Sequence, residues 1–367
     1  MTMGDLGARV IKVEPPSGDD SRFWGPPFVG PPDDPVSTYY LSCNRNKESV
    51  TADLRSDDGQ WLLTELVRRA DVLVENYRPG TLDTFGFTIE RLHDINPRLV
   101  VLSISGFGHD GPESARAGYD QIAQGEAGLM SITGEPGHPM RVGVPIADLL
   151  AGLTGLIGLL AALTERHVTG RGSVVRTSLL ASVVGIHAFQ GTRWTVAGEV
   201  PGPVGTHHPA IAPYGLFTAG SDTVQIAVGS PSQWRAFAPL VGLDPDDERF
   251  ADNTARVANR EGLTSVIEAA LADGTVEDWL ASLAAAGVPA GRVRTLDEVY
   301  EWEQTRSQHL LMQVDHPTLG PLTLPGSPLR FEGGHGREHE VPAGAPPRLG
   351  EHDAAVRAWL APPGDEA

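Results

Sequence analysis

Short apolar runs alternate with helical patterns along the first 190 residues of the chain. The runs predict four strands, at residues 8–14, 49–54, 70–76 and 98–105. After Asp57, which we expect to cap a helix, apolar residues recur at the spacing of one buried helical face. This alternation predicts a parallel sheet covered on both faces, with ligands beyond the carboxyl ends of its strands. Residues 76–80 and 106–111 follow two of those ends.

The segment 141–172 predicts a short extended run followed by a long apolar helix, with Asp148 at the mouth of the helix. Two roles for Asp148 are open from its position alone. It is either an N-cap, whose oxygens accept bonds from the free N–H groups of the first turn, or a nucleophile. The apolar run ends at Leu163, so no membrane span is expected here or elsewhere in the chain.

Glycines recur at every third position along this helix. They remove side chains from one stripe and lower helix propensity, so we expect a helix that is packed tightly in a large core. The glycines of this stripe are Gly152, Gly155 and Gly158.

The pattern changes after a stretch of linker composition that ends at Gly205. Residues 213–219 and 222–229 predict an antiparallel pair, and three helical patterns follow it. We therefore expect a smaller α+β domain inserted into a large α/β domain. The predicted organisation is a large domain from 1–190, a linker at 191–205, a small domain at 206–297, a linker at 298–320 and a segment at 321–367 that returns to the large domain.

Composition excludes several classes of function. The formal net charge of -19 argues against general attraction to nucleic acid or to an anionic membrane. Cys43 is the only cysteine, so the chain forms no intramolecular disulfide and no thiolate metal cluster. His335 and His339 lie in a glycine-rich stretch rather than on a helix, so we predict no metal site there. The single cysteine fits a reducing compartment, and with no leader pattern expected we predict a cytoplasmic protein.

One glycine motif is a candidate dinucleotide-binding site. Gly106, Gly108 and Gly111 match the G-x-G-x-x-G pattern of dinucleotide-binding proteins and follow a strand. That motif requires a helix to begin at once, whereas Pro112 and a polar stretch follow here. We therefore do not expect a nicotinamide or flavin cofactor.

Ten stretches, taken in chain order, resemble the class III coenzyme A transferases of the formyl-CoA, carnitine-CoA and bile acid CoA-transferase type, a family that also contains α-methylacyl-CoA racemases. The resemblance implies a Rossmann-like large domain, an inserted small domain and an interlocked homodimer. The stretches are DLGARVIKVEPPSGDDSR, NRNKESVTADL, DVLVENYRPG, SISGFGHDGP, GYDQIAQGEAG, segment 141–172, HPAIAPYGLF, GSPSQWRAFAPLVG, VPAGRV and PPRLGEH.

The resemblance implies that Asp148 is the nucleophile of acyl-CoA:carboxylate CoA transfer. It would form an anhydride and then an aspartyl-CoA thioester, with oxyanion donors from N–H groups at the start of its helix. Tyr119 occupies the position of the histidine base of the racemases, so transferase activity is preferred over the alternative of α-methylacyl-CoA epimerisation. No cofactor is implied besides coenzyme A as a substrate.

The resemblance also assigns the contacts to coenzyme A, to Arg22, Lys47, Asn76, Tyr77 and Arg78. Arginine forks and lysine charges suit phosphates, and the tyrosine ring suits a base.

Some features depart from the family pattern. The family's first strand and helix are absent, so an inactive CoA-binding remnant is a further alternative. Thr84 and Arg176 replace residues of other character, and PGPVGTHH replaces a run of glycines, which leaves the acids exchanged open.

Overall fold

The computed structural model describes residues 1–331 and 342–361. His335 and His339 therefore lie outside the described residues. The elements of the N-terminal half are α1 (Thr2–Asp5), β1 (Val10–Glu14), β2 (Phe28–Val29), β3 (Val36–Ser37), α2 (Thr38–Cys43), β4 (Lys47–Thr51), α3 (Asp57–Arg69), β5 (Val72–Glu75), α4 (Thr81–Thr84), α5 (Ile89–Ile95), β6 (Val100–Ser105), α6 (Asp120–Glu126), β7 (Gly134–Glu135), β8 (His138–Pro139), α7 (Ile146–Thr169), β9 (Val174–Ser178), α8 (Leu179–Gly185) and α9 (Ala188–Thr195).

The remaining elements include a second set of strands and short helices. They are β10 (Tyr214–Ala219), β11 (Asp222–Ala227), α10 (Pro231–Phe237), α11 (Asn253–Ala258), α12 (Arg260–Leu271), α13 (Val276–Ala285), β12 (Ala290–Gly291), α14 (Leu296–Glu301), α15 (Glu303–Ser307), β13 (Leu311–His316), β14 (Gly320–Pro325) and α16 (Asp353–Leu360). Three short 3-10 helices complete the list, at Asp20–Phe23, Met130–Ile132 and Ala238–Val241.

The chain divides into two compact units. The first contains Met1–Gly118, Leu150–Leu179 and Asp297–Ala367, and the second contains Tyr119–Leu149 and Leu180–Leu296. The second unit thus includes nearly all of the predicted small domain and two further segments. The predicted linker at 298–320 contains most of α14, all of α15 and β13, and the first residue of β14. The domain bounds expected from the sequence stay a prediction.

In the first unit, β5, β6 and β9 form a parallel sheet with β6 at its centre. Successive residues of a strand face opposite sides of a sheet. Val101 packs with apolar residues of α3 and α5 on one side, whereas Val100 and Leu102 pack with Leu159 of α7 on the other. A parallel sheet covered on both faces is therefore confirmed for these three strands.

Strands β1 and β4 form a separate parallel pair, so the parallel strands belong to two sheets among the described residues. Helix α3 packs on both sheets, because Leu62 contacts the cluster around Val50 while Leu63 contacts the cluster around Val101. The N-cap of α3 is Ser56, whose hydroxyl accepts from the N–H of Gly59, one residue before the expected Asp57.

Helix α7 packs closely on the three-stranded sheet through two of its glycines. A Cβ atom on Gly155 would lie 3.0 Å from the methyl carbons of Leu102, and one on Gly158 would lie 2.7 Å from a methyl carbon of Val175. Nothing lies within 4 Å of the corresponding position at Gly152. The close approach expected of the glycine stripe is therefore present at two of its three positions.

The face of α7 that carries no glycine is not buried, so the expectation of a helix inside a large core was wrong. It presents an apolar stripe to solvent, with the side chain of Ile157 69% exposed. The exposed residues of this stripe are Leu149, Leu153, Ile157 and Leu160.

The expectation that no segment is long enough to cross a membrane was also wrong. Helix α7 has 24 residues and an apolar window that meets the length and composition of a membrane span. The same criteria are met by core helices of soluble proteins, so this one helix is weak evidence for a membrane span. The cytoplasmic location stays a prediction.

The second unit contains the predicted antiparallel pair. Strands β10 and β11 pair from Tyr214 opposite Ala227 to Ala219 opposite Asp222, and β12 extends the sheet. Residues Phe217, Val224 and Ile226 are buried against helices α10, α12 and α13. This α+β arrangement follows from the alternation of apolar and polar residues along both strands.

Candidate active site

Asp148 lies in the first turn of α7, which begins at Ile146. The position is inside the helix rather than before it, so the interpretation of Asp148 as an N-cap was wrong. Within the part of the chain that the structure describes, no hydrogen bond is formed by the Asp148 carboxylate, and the residue is exposed. A carboxylate without a structural hydrogen bond keeps its lone pairs available for chemistry.

A neighbouring acid, Asp120, holds the start of α7 instead. Its Oδ1 accepts from the N–H of Ala147 at 2.8 Å, and its Oδ2 accepts from the Gln124 amide at 2.8 Å. The Oε1 of Gln124 accepts in turn from the N–H of Val142 at 2.8 Å. Asp120 and Gln124 therefore clamp both ends of the loop that leads into the helix.

The two acids sit in different electrostatic situations. Although Asp148 is exposed, desolvation by the protein around it raises the pKa of its carboxyl group to about 6, and repulsion from the Asp120 carboxylate contributes in the same direction. At neutral pH Asp148 is still ionised, and the raised pKa makes its carboxylate more basic than an ordinary aspartate. A carboxylate whose pKa is raised in this way is typical of catalytic sites.

Most N–H groups at the start of α7 are already bonded. The N–H of Ile146 donates to Val144 O at 2.8 Å and that of Leu149 to Pro145 O at 3.0 Å, while Ala147 donates to Asp120. Among the described residues, the N–H of Asp148 itself makes no hydrogen bond. The expected oxyanion donors at this helix start are therefore reduced to one.

Tyr119 immediately precedes α6 and is its N-cap residue, although its side chain does not cap the helix. The ring is 67% exposed. Because Asp120 is bonded to Ala147, the structure brings Tyr119 and Asp148 to the same cluster, each one residue from that hydrogen bond. An exposed phenol at this point is free to contact a ligand.

In the first unit, Lys47 begins β4 and lies on the same face of the β1–β4 pair as Lys12. The ammonium of Lys47 donates to Asn44 Oδ1 at 3.0 Å, and that of Lys12 pairs with Asp19 at 2.8 Å. Burial lowers the pKa of Lys47, and the charge of Lys12 lowers it further. The chain's two lysines thus form one partly desolvated positive cluster.

Residues Asn76, Tyr77 and Arg78 follow β5 and are all exposed. The turn is fixed because the N–H of Tyr77 donates to Glu75 Oε2 at 2.9 Å. Desolvation by the surrounding residues raises the pKa of Tyr77, with contributions from the carboxylates of Glu75 and then Asp19. Asp19, which pairs with Lys12, therefore lies close enough to Tyr77 for its charge to act on the phenol.

Arg22 is held inside the protein by its own contacts. Its guanidinium makes two bonds to Glu14, at 2.7 and 2.8 Å, and one to the Tyr40 hydroxyl at 2.6 Å. It also lies 3.9 Å over the Tyr40 ring. These contacts give Arg22 a structural role, and few of its donors remain for a phosphate.

Sequence reasoning missed a hydrogen-bonded chain at the carboxyl end of the sheet. The Ser103 hydroxyl is bonded to Glu75 and lies 2.7 Å from Nε2 of His109. The signal was present in the sequence, since Glu75 ends β5 and Ser103 lies opposite it, two residues before the end of the neighbouring parallel strand β6. This series of hydrogen bonds connects the end of β5, before the Asn76–Arg78 turn, to the glycine loop at residues 106–111.

The glycine loop does not build a dinucleotide site. No helix begins directly after Gly106: turns, bends and irregular chain occupy residues 106–119, and α6 begins only at Asp120. Gly106 instead touches the chain at Gly118, where an added Cβ would lie 2.7 Å from the Gly118 Cα. The described residues contain no cluster of three or more metal-ligating side chains.

Comparisons with known proteins agree along the whole chain. The model of CoA-transferase family III matches residues 1–353. The succinyl-CoA:glutarate CoA-transferase of Mus musculus is 37% identical, over 96% of this chain and 80% of that protein. The acetyl-CoA:oxalate CoA-transferase of Acetobacter aceti is 36% identical, over 98% of this chain and 90% of that protein.

A solved structure supports the same relationship. The crystal structure of a CAIB/BAIF family protein from Brucella suis superimposes with a TM-score of 0.85 at 40% identity, covering 98% of this chain and 94% of that chain. The mixed α/β fold is therefore that of the CAIB/BAIF structures. With the family model matching nearly its whole length, the chain belongs to CoA-transferase family III and is a CoA-transferase.

Proposed function

We propose that this CoA-transferase acts through Asp148 as a covalent nucleophile. The Asp148 carboxylate attacks the thioester carbon of an acyl-CoA, and the C–S bond breaks to give a mixed anhydride and CoA thiolate. The thiolate then attacks the carboxyl carbon of Asp148, which releases the first acid and leaves an aspartyl-CoA thioester. The second acid repeats the steps in reverse, so one difficult exchange becomes several easier ones.

One observation carries this proposal: the Asp148 carboxylate, unlike that of Asp120, makes no hydrogen bond among the described residues. The pKa of Asp148, raised to about 6, is in keeping with it. Asp120 beside it is fully used in holding Ala147 and Gln124. A free, basic carboxylate on a braced helix start suits nucleophilic attack, whereas a bonded one suits positioning. We assign Asp120 to positioning.

For coenzyme A, we propose contacts with Lys47 and with the exposed turn of Asn76, Tyr77 and Arg78. Arg78 makes no side-chain hydrogen bond or ion pair with any described residue, so its guanidinium can bind a phosphate. Asp19 pairs with Lys12 and its charge also acts on Tyr77, so the turn and the lysines lie near one another. Arg22 supports this region through Glu14 and is the weakest of the proposed CoA contacts.

The acids exchanged are proposed to be dicarboxylic. The relatives described above are named for succinyl-CoA and glutarate, and for oxalate, each an acid with two carboxyl groups. For the present chain this predicts that CoA is transferred faster to an acid with a second carboxylate than to a monocarboxylic acid of equal length.

A homodimer, interlocked as in the resemblance, is also proposed. The apolar stripe of α7, from Leu149 to Leu160, is exposed in the single chain. A contiguous apolar stripe of this kind is typical of an interaction surface, and a second copy of the chain is the partner that the family relationship favours. Sedimentation at micromolar concentration should give twice the chain mass, and substitution of Ile157 by Glu should weaken the association.

Transfer assays with an Asp148→Asn variant test the proposed mechanism. Wild-type protein should transfer CoA from succinyl-CoA to glutarate, and the variant should lose at least about a thousandfold in kcat, as expected for a removed nucleophile. Asp83→Asn is a matched control, because Asp83 is an exposed acid in the first turn of α4. Full activity of Asp148→Asn would end the proposal, and deuterium entry at the α-carbon without an acceptor acid would indicate epimerisation instead.

A further inference from the structure

Arg141 is an exposed cation that no acid neutralises among the described residues. Its Nη1 donates to carbonyl oxygens of its own loop, to Val142 O at 3.1 Å and to Gly143 O at 3.5 Å. The remaining donors of the guanidinium have no partner within the described part of the chain. In a chain of net charge -19, where many other arginines pair with carboxylates, an unpaired guanidinium is available for an anion from outside.

The loop that carries Arg141 is fixed relative to Asp148. The N–H of Val142 donates to Gln124, the N–H of Ala147 donates to Asp120, and the side chains of Gln124 and Asp120 bond each other at 2.8 Å. Arg141 and Asp148 each lie one residue outside the clamped segment 142–147. The brace therefore holds the backbone on which both side chains are carried, and recognition of one small substrate at two points requires such a fixed support.

A cation near Asp120 and Asp148 would offset the negative charge of these two acids. Asp120 and Asp148 both repel an incoming carboxylate, and repulsion between them already raises the pKa of Asp148. A dicarboxylic acid brings two negative charges, one of which reacts while the other stays ionised. An arginine fork matches a carboxylate with two parallel hydrogen bonds and offsets that charge.

We propose that Arg141 binds the distal carboxylate of a dicarboxylic acid whose other carboxyl group exchanges CoA at Asp148. The proposal rests on the transfer chemistry proposed above and names the residue that would select the substrate class. Arg141 is then a specificity residue, which contacts the acid but takes no part in bond making.

The experiment compares glutarate with pentanoate, which has the same chain length and one carboxylate fewer, as acceptors from succinyl-CoA. In Arg141→Gln the ratio of kcat/KM for glutarate to that for pentanoate should fall about 10- to 100-fold, the loss of a charged hydrogen bond. Arg141→Lys should recover part of the ratio. If pentanoate turnover is below detection, the inhibition constant of pentanoate measured against glutarate is compared with the KM for glutarate, and this ratio should change in the same direction.

Arg235→Gln is the control, because Arg235 is an exposed arginine of the same unit with only a 3.5 Å ion pair to Asp246. It should leave the ratio unchanged. An equal loss with both acids, or a rise confined to the KM for acyl-CoA, would overturn the role of Arg141 while leaving the transferase mechanism intact. Wild-type protein that transfers CoA to neither acid would instead refute the proposed transfer to dicarboxylic acids.

Discussion

Replacing Asp148 by Asn should stabilise the protein at pH 8 even as it removes CoA transfer. Burial and the Asp120 carboxylate raise the pKa of Asp148 to about 6 in the folded chain, above the unfolded value of about 3.9. Folding therefore favours the neutral acid. Its stabilising contribution is fully present below about pH 3.9 and is lost as the pH rises through about 6. Asn carries no charge and escapes this loss.

The expected size follows from the pKa difference. About two pKa units correspond to roughly 3 kcal/mol between the two protonation states, but solvent screens an exposed carboxylate, so we expect at most about 1 kcal/mol in the free energy of unfolding. Urea unfolding of wild type and Asp148→Asn at pH 4 and pH 8 measures it. The gain should be present at pH 8 and close to zero at pH 4.

The control for this experiment is Asp83→Asn, which should show no gain that depends on pH. A destabilised Asp148→Asn protein at pH 8 would refute the electrostatic reasoning, because it would mean that the carboxylate makes favourable interactions in the folded state. An equal gain at both pH values would also refute it, since an effect of ionisation must vanish where the acid is neutral.

Four further variants probe the helix, the brace and the CoA contacts. Gly155→Leu should lower the free energy of unfolding by about 1–3 kcal/mol in urea, because the added Cβ would lie 3.0 Å from methyl carbons of Leu102 in β6. Gly152→Ala should raise it by up to about 1 kcal/mol, because nothing lies within 4 Å of the added Cβ. Asp120→Asn should move the acid limb of the kcat/KM profile to lower pH, because it removes a charge that raises the pKa of Asp148; an unmoved limb contradicts this. Lys47→Gln should raise the KM for acyl-CoA several-fold at unchanged kcat, and an unchanged KM contradicts the phosphate contact.

Much of the fold could be predicted because its strands and helices bury regular faces. The apolar run of β6 is buried on both sides, and the alternation along β10 and β11 gives one buried face, so the period of each run indicated its place. Helix α7 was equally clear as an element. The burial of α7 could not be predicted, because the sequence pattern of an apolar stripe is the same whether the stripe packs in the chain's own core or is exposed on its surface.

The local roles of charged residues were harder to predict. The cap of α7 comes from Asp120, 26 residues before Ile146, and no local spacing relates the two. The guanidinium of Arg22 can bind the Glu14 carboxylate or a phosphate equally well. Only the structure shows that it pairs with Glu14. Asp148 itself was found because the resemblance singled it out, and its lack of hydrogen bonds among the described residues came from the structure.

Trapping the covalent intermediate tests the central role of Asp148 most directly. Wild-type protein is incubated with succinyl-CoA, treated with hydroxylamine and digested, and the modified carboxylate is mapped by mass spectrometry. We predict a hydroxamate at Asp148, formed from the anhydride or the aspartyl-CoA thioester, and none in Asp148→Asn. A hydroxamate at another carboxylate, or CoA transfer at full rate with no modification of Asp148, would contradict the account.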